Sequence, residues 1–261
     1  MDLGVAGMVF LIAGASKGLG LAIARCLARE GAAVAIASRS ADAIARTAAE
    51  LDAVSAAGVT GTACDVRDDV ALAAWVAASV RRFGRIDGVV CNAGGPPPGG
   101  FDAFDDTAWQ EAYELTLLST IRLIRHALPQ LRVRGGSILT LTSATVREPA
   151  HQLLLSSVMR SGVAALAKSL SHELAADRIR VNNLVPGLIA TDRMIQLDAY
   201  QARNSGTDAH EVRRQRERAI PLGRYGEPEE FGRAGAFLLS PAASYISGAS
   251  LVVDGATMRA L

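Results

Sequence analysis

Short apolar runs alternate with longer amphipathic segments along the whole chain, and this rhythm restricts the possible folds more than any other feature. The runs are MVFLIA (8–13), AAVAIAS (32–38), VTGTACDV (59–66), IDGVVCN (86–92), SILTLTS (137–143), IRVNNLV (179–185) and SLVVDG (250–255). They are continuous rather than alternating, as strands are when both faces of a sheet are covered. Helical periodicity fills the gaps over about 18–30, 40–57, 68–83, 104–132, 152–176 and 227–240. This alternation predicts a doubly wound α/β fold: about seven parallel strands with helices on both faces, in one domain over residues 1–261. Gly31, Gly58 and Gly84 stand where helix C-caps should fall. The stretch from Pro186 to Arg224 is the irregular one. It is too long for an ordinary connection, and 188–222 reads as a substrate lid with short helices of its own.

Composition excludes several roles. A net charge of +1 gives no field that would draw nucleic acid or an anionic membrane. No apolar run approaches the roughly 18 residues that a membrane span needs. The opening MDLGVAGMVFLIAG lacks a basic start and ends in a glycine turn, so it reads as a buried strand and not as a secretory signal. Cys26, Cys64 and Cys91 lack metal-ligand spacing. They read as buried free thiols of a reducing compartment, which points to a cytoplasmic protein with no metal site.

After the first run comes Gly14-Ala15-Ser16-Lys17-Gly18-Leu19-Gly20, opening the first helical segment. Glycine there permits positive φ, lets backbone approach a pyrophosphate and leaves helix N–H groups pointing at the anion. An isolated turn of this type is weak, but after the first strand of an α/β chain it reads as nucleotide-binding. The end of the second strand discriminates between dinucleotides. An NAD site wants a carboxylate there for the ribose 2′-OH, whereas this chain has Ser38-Arg39. Arg39, with Lys17 beside the turn, suits a 2′-phosphate, so NADP(H) is favoured over NAD(H).

With AGASKGLG (13–20), CDV (64–66), CNAG (91–94), SILTLTS (137–143), IRVNNLVPGLIAT (179–191), PLGRYGEPEE (221–230) and YISGASLVVDG (245–255) in this order, the chain resembles the short-chain dehydrogenase/reductase family over nearly its whole length. The resemblance implies a Rossmann fold and an oxidoreductase of carbonyl or alcohol substrates. It implies that Asp65 and Val66 meet the adenine, and that Asn92, Ala93 and Gly94 line the adenine ribose and back wall. Pro186, Gly187, Ile189 and Thr191 would cover the nicotinamide. It further implies a homodimer or homotetramer through the 104–132 and 152–176 helices and the last strand.

The family's chemistry rests on Asn, Ser and a Tyr-x-x-x-Lys pair. By spacing, Ser143 matches the serine, while Ser156 stands for the tyrosine, Arg160 for the lysine and Thr116 for the asparagine. None of Tyr113, Tyr200, Tyr225 or Tyr245 has lysine four residues on. The chain looks like a divergent branch with Leu-Ser-x-x-x-Arg in that place. Arg160 can clamp a ribose but cannot relay protons. Thr116 is expected to return its hydroxyl to the preceding helical turn. Glu148, His151, Tyr113 and Tyr200 are candidate proton donors, and the reference pKa of histidine favours His151. The lid arginines Arg193, Arg203, Arg213, Arg214, Arg216 and Arg218 read first as a solvated helix face and second as receivers of an anionic group. Three functions stay open on a small-molecule substrate: an atypical NADP(H)-dependent oxidoreductase, a non-catalytic NADP(H)-binding sensor or scaffold, and a non-redox dehydratase or isomerase.

Overall fold

All seven runs become strands in the computed structural model, which describes residues 2–260. They are β1 (Val9–Ala13), β2 (Ala33–Ser38), β3 (Val59–Ala63), β4 (Gly88–Cys91), β5 (Gly136–Leu141), β6 (Ile179–Pro186) and β7 (Ser250–Val253). The sheet is parallel throughout in the order β3-β2-β1-β4-β5-β6-β7. Because side chains alternate along a strand, β1 feeds two cores. Phe10 and Ile12 pack with Ile23, Leu27, Ile44, Leu51 and Phe231 on one face. Val9 and Leu11 pack with Leu72, Trp75, Leu123 and Leu131 on the other. That double burial is why the central runs carry no polar alternation; the edge strands β3 and β7 are only partly covered.

The helices divide accordingly. α1 (Gly18–Arg29), α2 (Ala41–Asp52) and α9 (Pro228–Leu239) supply the first core. α3 (Asp69–Phe83), α5 (Ser119–Arg134) and α6 (Leu154–Glu173) supply the second. Asp68 caps α3 by accepting from the Val70 and Ala71 N–H groups, and Gly84 closes it at φ +76°. Gly58 does not cap α2, which ends at Asp52. Its φ of +92° instead turns the chain into β3, the residue after it bonding the Asp52 carboxylate.

Two further expectations change. The segment 104–132 is not one regular helix: α4 (Asp106–Tyr113) runs into a π turn over Glu114–Leu118 before α5 begins. Periodicity cannot reveal a single wider turn, since the residues on either side keep helical spacing. Residues 188–222 contain α7 (Asp192–Ser205) and α8 (Ala209–Ala219), joined through Gly206 at φ +64°. These helices enclose a small core of Met194, Ile220 and Tyr225. Beside it, buried Asp198 accepts from Arg216 and from the Tyr225 hydroxyl.

Cys26, Cys64 and Cys91 are buried and unpaired as disulfides, and burial pushes the Cys91 thiol up to about 12. No helix among the described residues is long and apolar enough to cross a membrane, and no cluster of metal-ligating side chains occurs among them.

Candidate functional site

Strand order reverses between β1 and β4, and a crevice opens beyond the carboxyl ends of strands at such a point. The glycine turn lies there. Asn92, just past β4, donates its amide to the carbonyls of Ala13 (3.2 Å) and Gly14 (3.0 Å). A Cβ on Gly14 would come within 2.8 Å of that amide, and one on Gly20 within 2.6 Å of the Gly14 carbonyl. These two glycines therefore make room for Asn92, which acts as a tie between β4 and the turn, while Ser16 anchors the turn by accepting from Thr47 (3.2 Å). Leu19 packs against the first core.

Gly18 is different. It needs its φ of +63°, yet a Cβ there would find only Thr191, at 3.9 Å, and one on Gly94 would find nothing within 4 Å. Lys17, the residue before α1, provides no side-chain cap for the helix, and the N-terminus of α1 faces this open space. Thr191 likewise leaves its hydroxyl uncommitted at the start of α7. Lys17 itself pairs with Asp192 at 2.8 Å. Both side chains are largely exposed, so the pair is a weak surface contact beside the turn.

At the end of β2 the Ser38 hydroxyl is buried with no partner. Arg39 next to it is exposed and enters no ion pair among the described residues. Asp65 bonds Arg67 at 2.7 Å, and this pair, helped by the charge of Arg39, holds its carboxyl below the ordinary range. Val66 is buried beside it, and Ala93 packs against the second core. An orphaned hydroxyl, a free guanidinium, an uncapped helix start and the hollow over Gly18 and Gly94 fit a phosphate-bearing dinucleotide.

Along β6 the fit is through backbone. Pro186 pairs with Val253, and Gly187 passes Asp254 so closely that a Cβ would lie 2.4 Å from that of Asp254. The Ile189 side chain is in the core, leaving only its backbone groups for a ligand.

The other end of the crevice holds Ser143, two residues past β5. Its Oγ accepts from the Thr145 N–H (3.2 Å) and the Thr145 hydroxyl (3.0 Å). Its own proton is therefore free to be donated outward. Ser156, buried on α6, accepts from Arg160 Nε at 3.2 Å, and Arg160 Nη1 donates to the Leu141 carbonyl at 2.8 Å. Burial, with the charge of Arg193 second, brings the Arg160 pKa down to about 10. It stays cationic at neutral pH.

Thr116 lies in the π turn and does not return its hydroxyl to the helix, contrary to expectation. The carbonyls of Leu115 and Thr116 accept instead from Ser119 (2.6 Å) and Thr120 (2.9 Å), and the Thr116 hydroxyl is buried without a partner. The Thr142 hydroxyl, beside Ser143, is in the same state.

His151 is exposed at the rim of a cavity of about 310 Å³ that Pro98, Leu153, Leu197 and Tyr200 also line. Glu148 is held elsewhere: its Oε1 accepts the Arg259 and Ala260 N–H groups, each at 2.7 Å. Tyr113 is half-buried on α4. Three of the six lid arginines are paired internally, Arg213 by Glu217, Arg214 by Glu211 and Arg216 by Asp198. Arg193 is not. It donates to the Pro96 carbonyl at 2.8 Å and enters no ion pair among the described residues. In the sequence it is one lid cation among six. Its spacing of four and seven from Leu197 and Tyr200 puts it on the cavity-lining face of α7.

The family model described as enoyl-(acyl carrier protein) reductase matches residues 14–256. Dehydrogenase/reductase SDR family member 4 of Sus scrofa is 34% identical over 256 residues, spanning 97% of this chain and 88% of the relative. The chain belongs to the short-chain dehydrogenase/reductase family. Among solved members of the family, L-sorbose reductase from Gluconobacter frateurii, complexed with NADPH and L-sorbose, has a TM-score of 0.94 at 32% identity, with all of both chains covered. A short chain oxidoreductase from Pseudomonas aeruginosa PAO1, in its apo form and containing an atypical catalytic center, has a TM-score of 0.89 at 30% identity, over 99% of this chain and 100% of that one.

Proposed function

We propose that this member of the family is an NADP(H)-dependent oxidoreductase of a small carbonyl or alcohol substrate, working without the family's Tyr-x-x-x-Lys pair. Ser156 and Arg160 stand in those two positions, which supports reading the chain as a divergent branch with Leu-Ser-x-x-x-Arg there. The observation that carries the reading is the Ser143 hydroxyl, whose oxygen is filled by Thr145 and whose proton is left to donate.

The residues that would hold the dinucleotide are Gly18, Ser38, Arg39, Asp65, Val66, Gly94 and Thr191, with the backbone of Pro186, Gly187 and Ile189. Ser38 and Arg39 favour the form carrying a 2′-phosphate. When bound, the nicotinamide supplies or accepts the hydride. Ser143 orients the substrate oxygen by donating to it. Arg160, fixed to Leu141 and Ser156, contributes a positive charge that favours negative charge developing on that oxygen. Its proton is not available for transfer. Proton delivery falls to water or to His151 at the cavity rim. Losing a dedicated general acid costs roughly 10²–10⁴ in rate, less than the roughly 7–11 kcal/mol that holding the reactants together can supply. Turnover is slow, not absent.

We place the protein in the cytoplasm as a homodimer or homotetramer, without nucleic-acid or membrane partners. The exposed Tyr245 and Leu251 near edge strand β7 support the assembly. NADPH fluorescence titration, followed by NADPH oxidation across a carbonyl panel, tests the reading. Binding with slow oxidation that disappears in Ser143→Ala is the expected result. Binding without hydride transfer to any carbonyl selects a sensor, and product formation with no change in nicotinamide absorbance selects a dehydratase or isomerase.

A further inference from the structure

The cavity of about 310 Å³ has one permanently charged side chain on its wall, Arg216, and that charge already has its counter-ion. Three stretches of chain build the wall. Pro98 comes from the loop after β4, His151 and Gln152 from the segment between Ser143 and α6, and Leu197, Tyr200 and Arg216 from the lid helices α7 and α8. The first two stretches are fastened together, the Gly99 N–H donating to the Gln152 carbonyl at 2.8 Å. His151 lies along the same loop, where a Cβ on Gly100 would come within 3.5 Å of its ring. The volume is at the small end for an organic ligand.

Arg216 is held differently from its neighbours in the sequence. Arg213 and Arg214 pair with glutamates of their own helix. Arg216 reaches across to α7 and donates to Asp198, which is buried and also accepts from the Tyr225 hydroxyl at 3.0 and 3.2 Å. Burial pushes the Tyr225 hydroxyl up to about 12, so it keeps its proton and remains a donor. The Arg213 guanidinium lies 4.9 Å from the centre of the same ring. Asp198 and Tyr225 thus fix the Arg216 head, whose side chain stays 29% exposed.

Two consequences follow for a ligand. A guanidinium has five N–H donors, and one carboxylate and one phenol cannot take most of them, so oxygen atoms in the cavity have donors to meet. The charge, by contrast, is spent. An entering acid would find a cation already bonded to a carboxylate, and repulsion from Asp198 offsets the attraction of Arg216. A neutral hydroxyl or carbonyl oxygen accepts a charge-assisted bond without that repulsion. His151, Gln152 and Tyr200 can each donate and accept, as hydroxyl groups do.

We propose that Arg216 is a specificity residue, and that its pairing with Asp198 selects small neutral hydroxyketones, or the matching polyols, over organic acids. This rests on the oxidoreductase reading for the carbonyl as the reacting group, but not for the selection itself. Asp198 acts through Arg216 and is a positioning residue.

The test is calorimetric titration of the native protein, with NADP⁺ at saturation, using two matched sets: dihydroxyacetone against acetone and hydroxypyruvate, and fructose against 2-hexanone and 2-ketogluconate. At least one hydroxyketone should bind about tenfold or more tightly than both its bare ketone and its acid, as charge-assisted bonds predict. In Asp198→Asn the acid should gain about tenfold on the hydroxyketone, because the charge of Arg216 is no longer cancelled. Arg216→Met combined with Asp198→Asn removes both charges at once, and serves if the single variant does not fold. In it the advantage of the hydroxyketone over the bare ketone should fall to within about twofold. The proposal is overturned if neither hydroxyketone binds, if the bare ketone binds equally well, or if the native protein prefers the acid. It is also overturned if Asp198→Asn gains nothing for the acid, or if the hydroxyketone advantage survives the double substitution. Binding as expected without oxidation of NADPH is a failure of the oxidoreductase reading alone. If the native protein does not bind NADP⁺, the same titrations without nucleotide still decide the selection.

Discussion

The two ends of the crevice handle polar groups in opposite ways. Around the glycine turn the polar side chains mostly serve the fold. Asn92 braces the turn, Thr47 bonds Ser16, and Lys17 has Asp192. Beyond β5 the pattern reverses. Thr116 and Thr142 have hydroxyls with no partner, Ser143 has a free proton, and Arg160 and Arg193 have no counter-charge. A buried unsatisfied polar group costs about 1–3 kcal/mol. A fold that tolerates several in one place has that end shaped by what it binds, whereas at the glycine turn the bracing contacts stand beside a smaller set of open groups, the Ser38 hydroxyl and Arg39.

Substitutions can break this contrast. The largest effect belongs to the open end: Ser143→Ala should lower kcat/KM for carbonyl reduction by about 10²-fold or more, with NADPH affinity and Tm nearly unchanged. Gly20→Ala in the braced end should do the reverse. Its methyl would meet the Gly14 carbonyl and the Asn92 amide, costing about 1–3 kcal/mol of stability, read as a lower Tm accompanied by weaker nucleotide binding. Arg39→Ala should weaken NADPH about tenfold and leave NADH unaffected, as loss of one charge-assisted phosphate contact predicts. Equal losses for both dinucleotides would show that Arg39 does not read the 2′-phosphate.

The smallest effect comes from outside both ends. Arg224, together with the Glu227 N–H, holds the Glu230 carboxyl down to about 2. Its folded pKa lies below the unfolded one, so its contribution is present above about pH 4.5 and lost as pH falls toward 2. Glu230→Gln should therefore lower Tm slightly at pH 7, by less than about 1 kcal/mol for an exposed pair, and the difference should vanish in acid.

The sequence made the strands and the glycine turn readable because each is written locally. A strand buried on both faces is a continuous apolar run, and a left-handed turn before a helix needs glycine. The open end was less readable because its character depends on partners distant in the chain. Arg193 and Arg216 look alike in a basic helical stretch, and only the fold gives one of them Asp198 and the other a backbone carbonyl. Gly58 has the left-handed φ that a helix cap would need, but it serves the following strand. The tie of Glu148 to Arg259 and Ala260 joins positions 111 and 112 residues apart, beyond any local pattern.

The π turn at Glu114–Leu118 carries a consequence for engineering and for divergence within the family. Such a turn accommodates one residue more than an α-helix would. Deleting a single residue there, such as Leu117, would let the helix close into regular α geometry with α4 and α5 still presenting their present faces, because the turn absorbs the extra residue locally. Tyr113 would keep its place, while the carbonyls of Leu115 and Thr116 that now accept from Ser119 and Thr120 would return to the helical ladder. A one-codon loss would therefore alter the wall at Thr116 alone while leaving every strand in register.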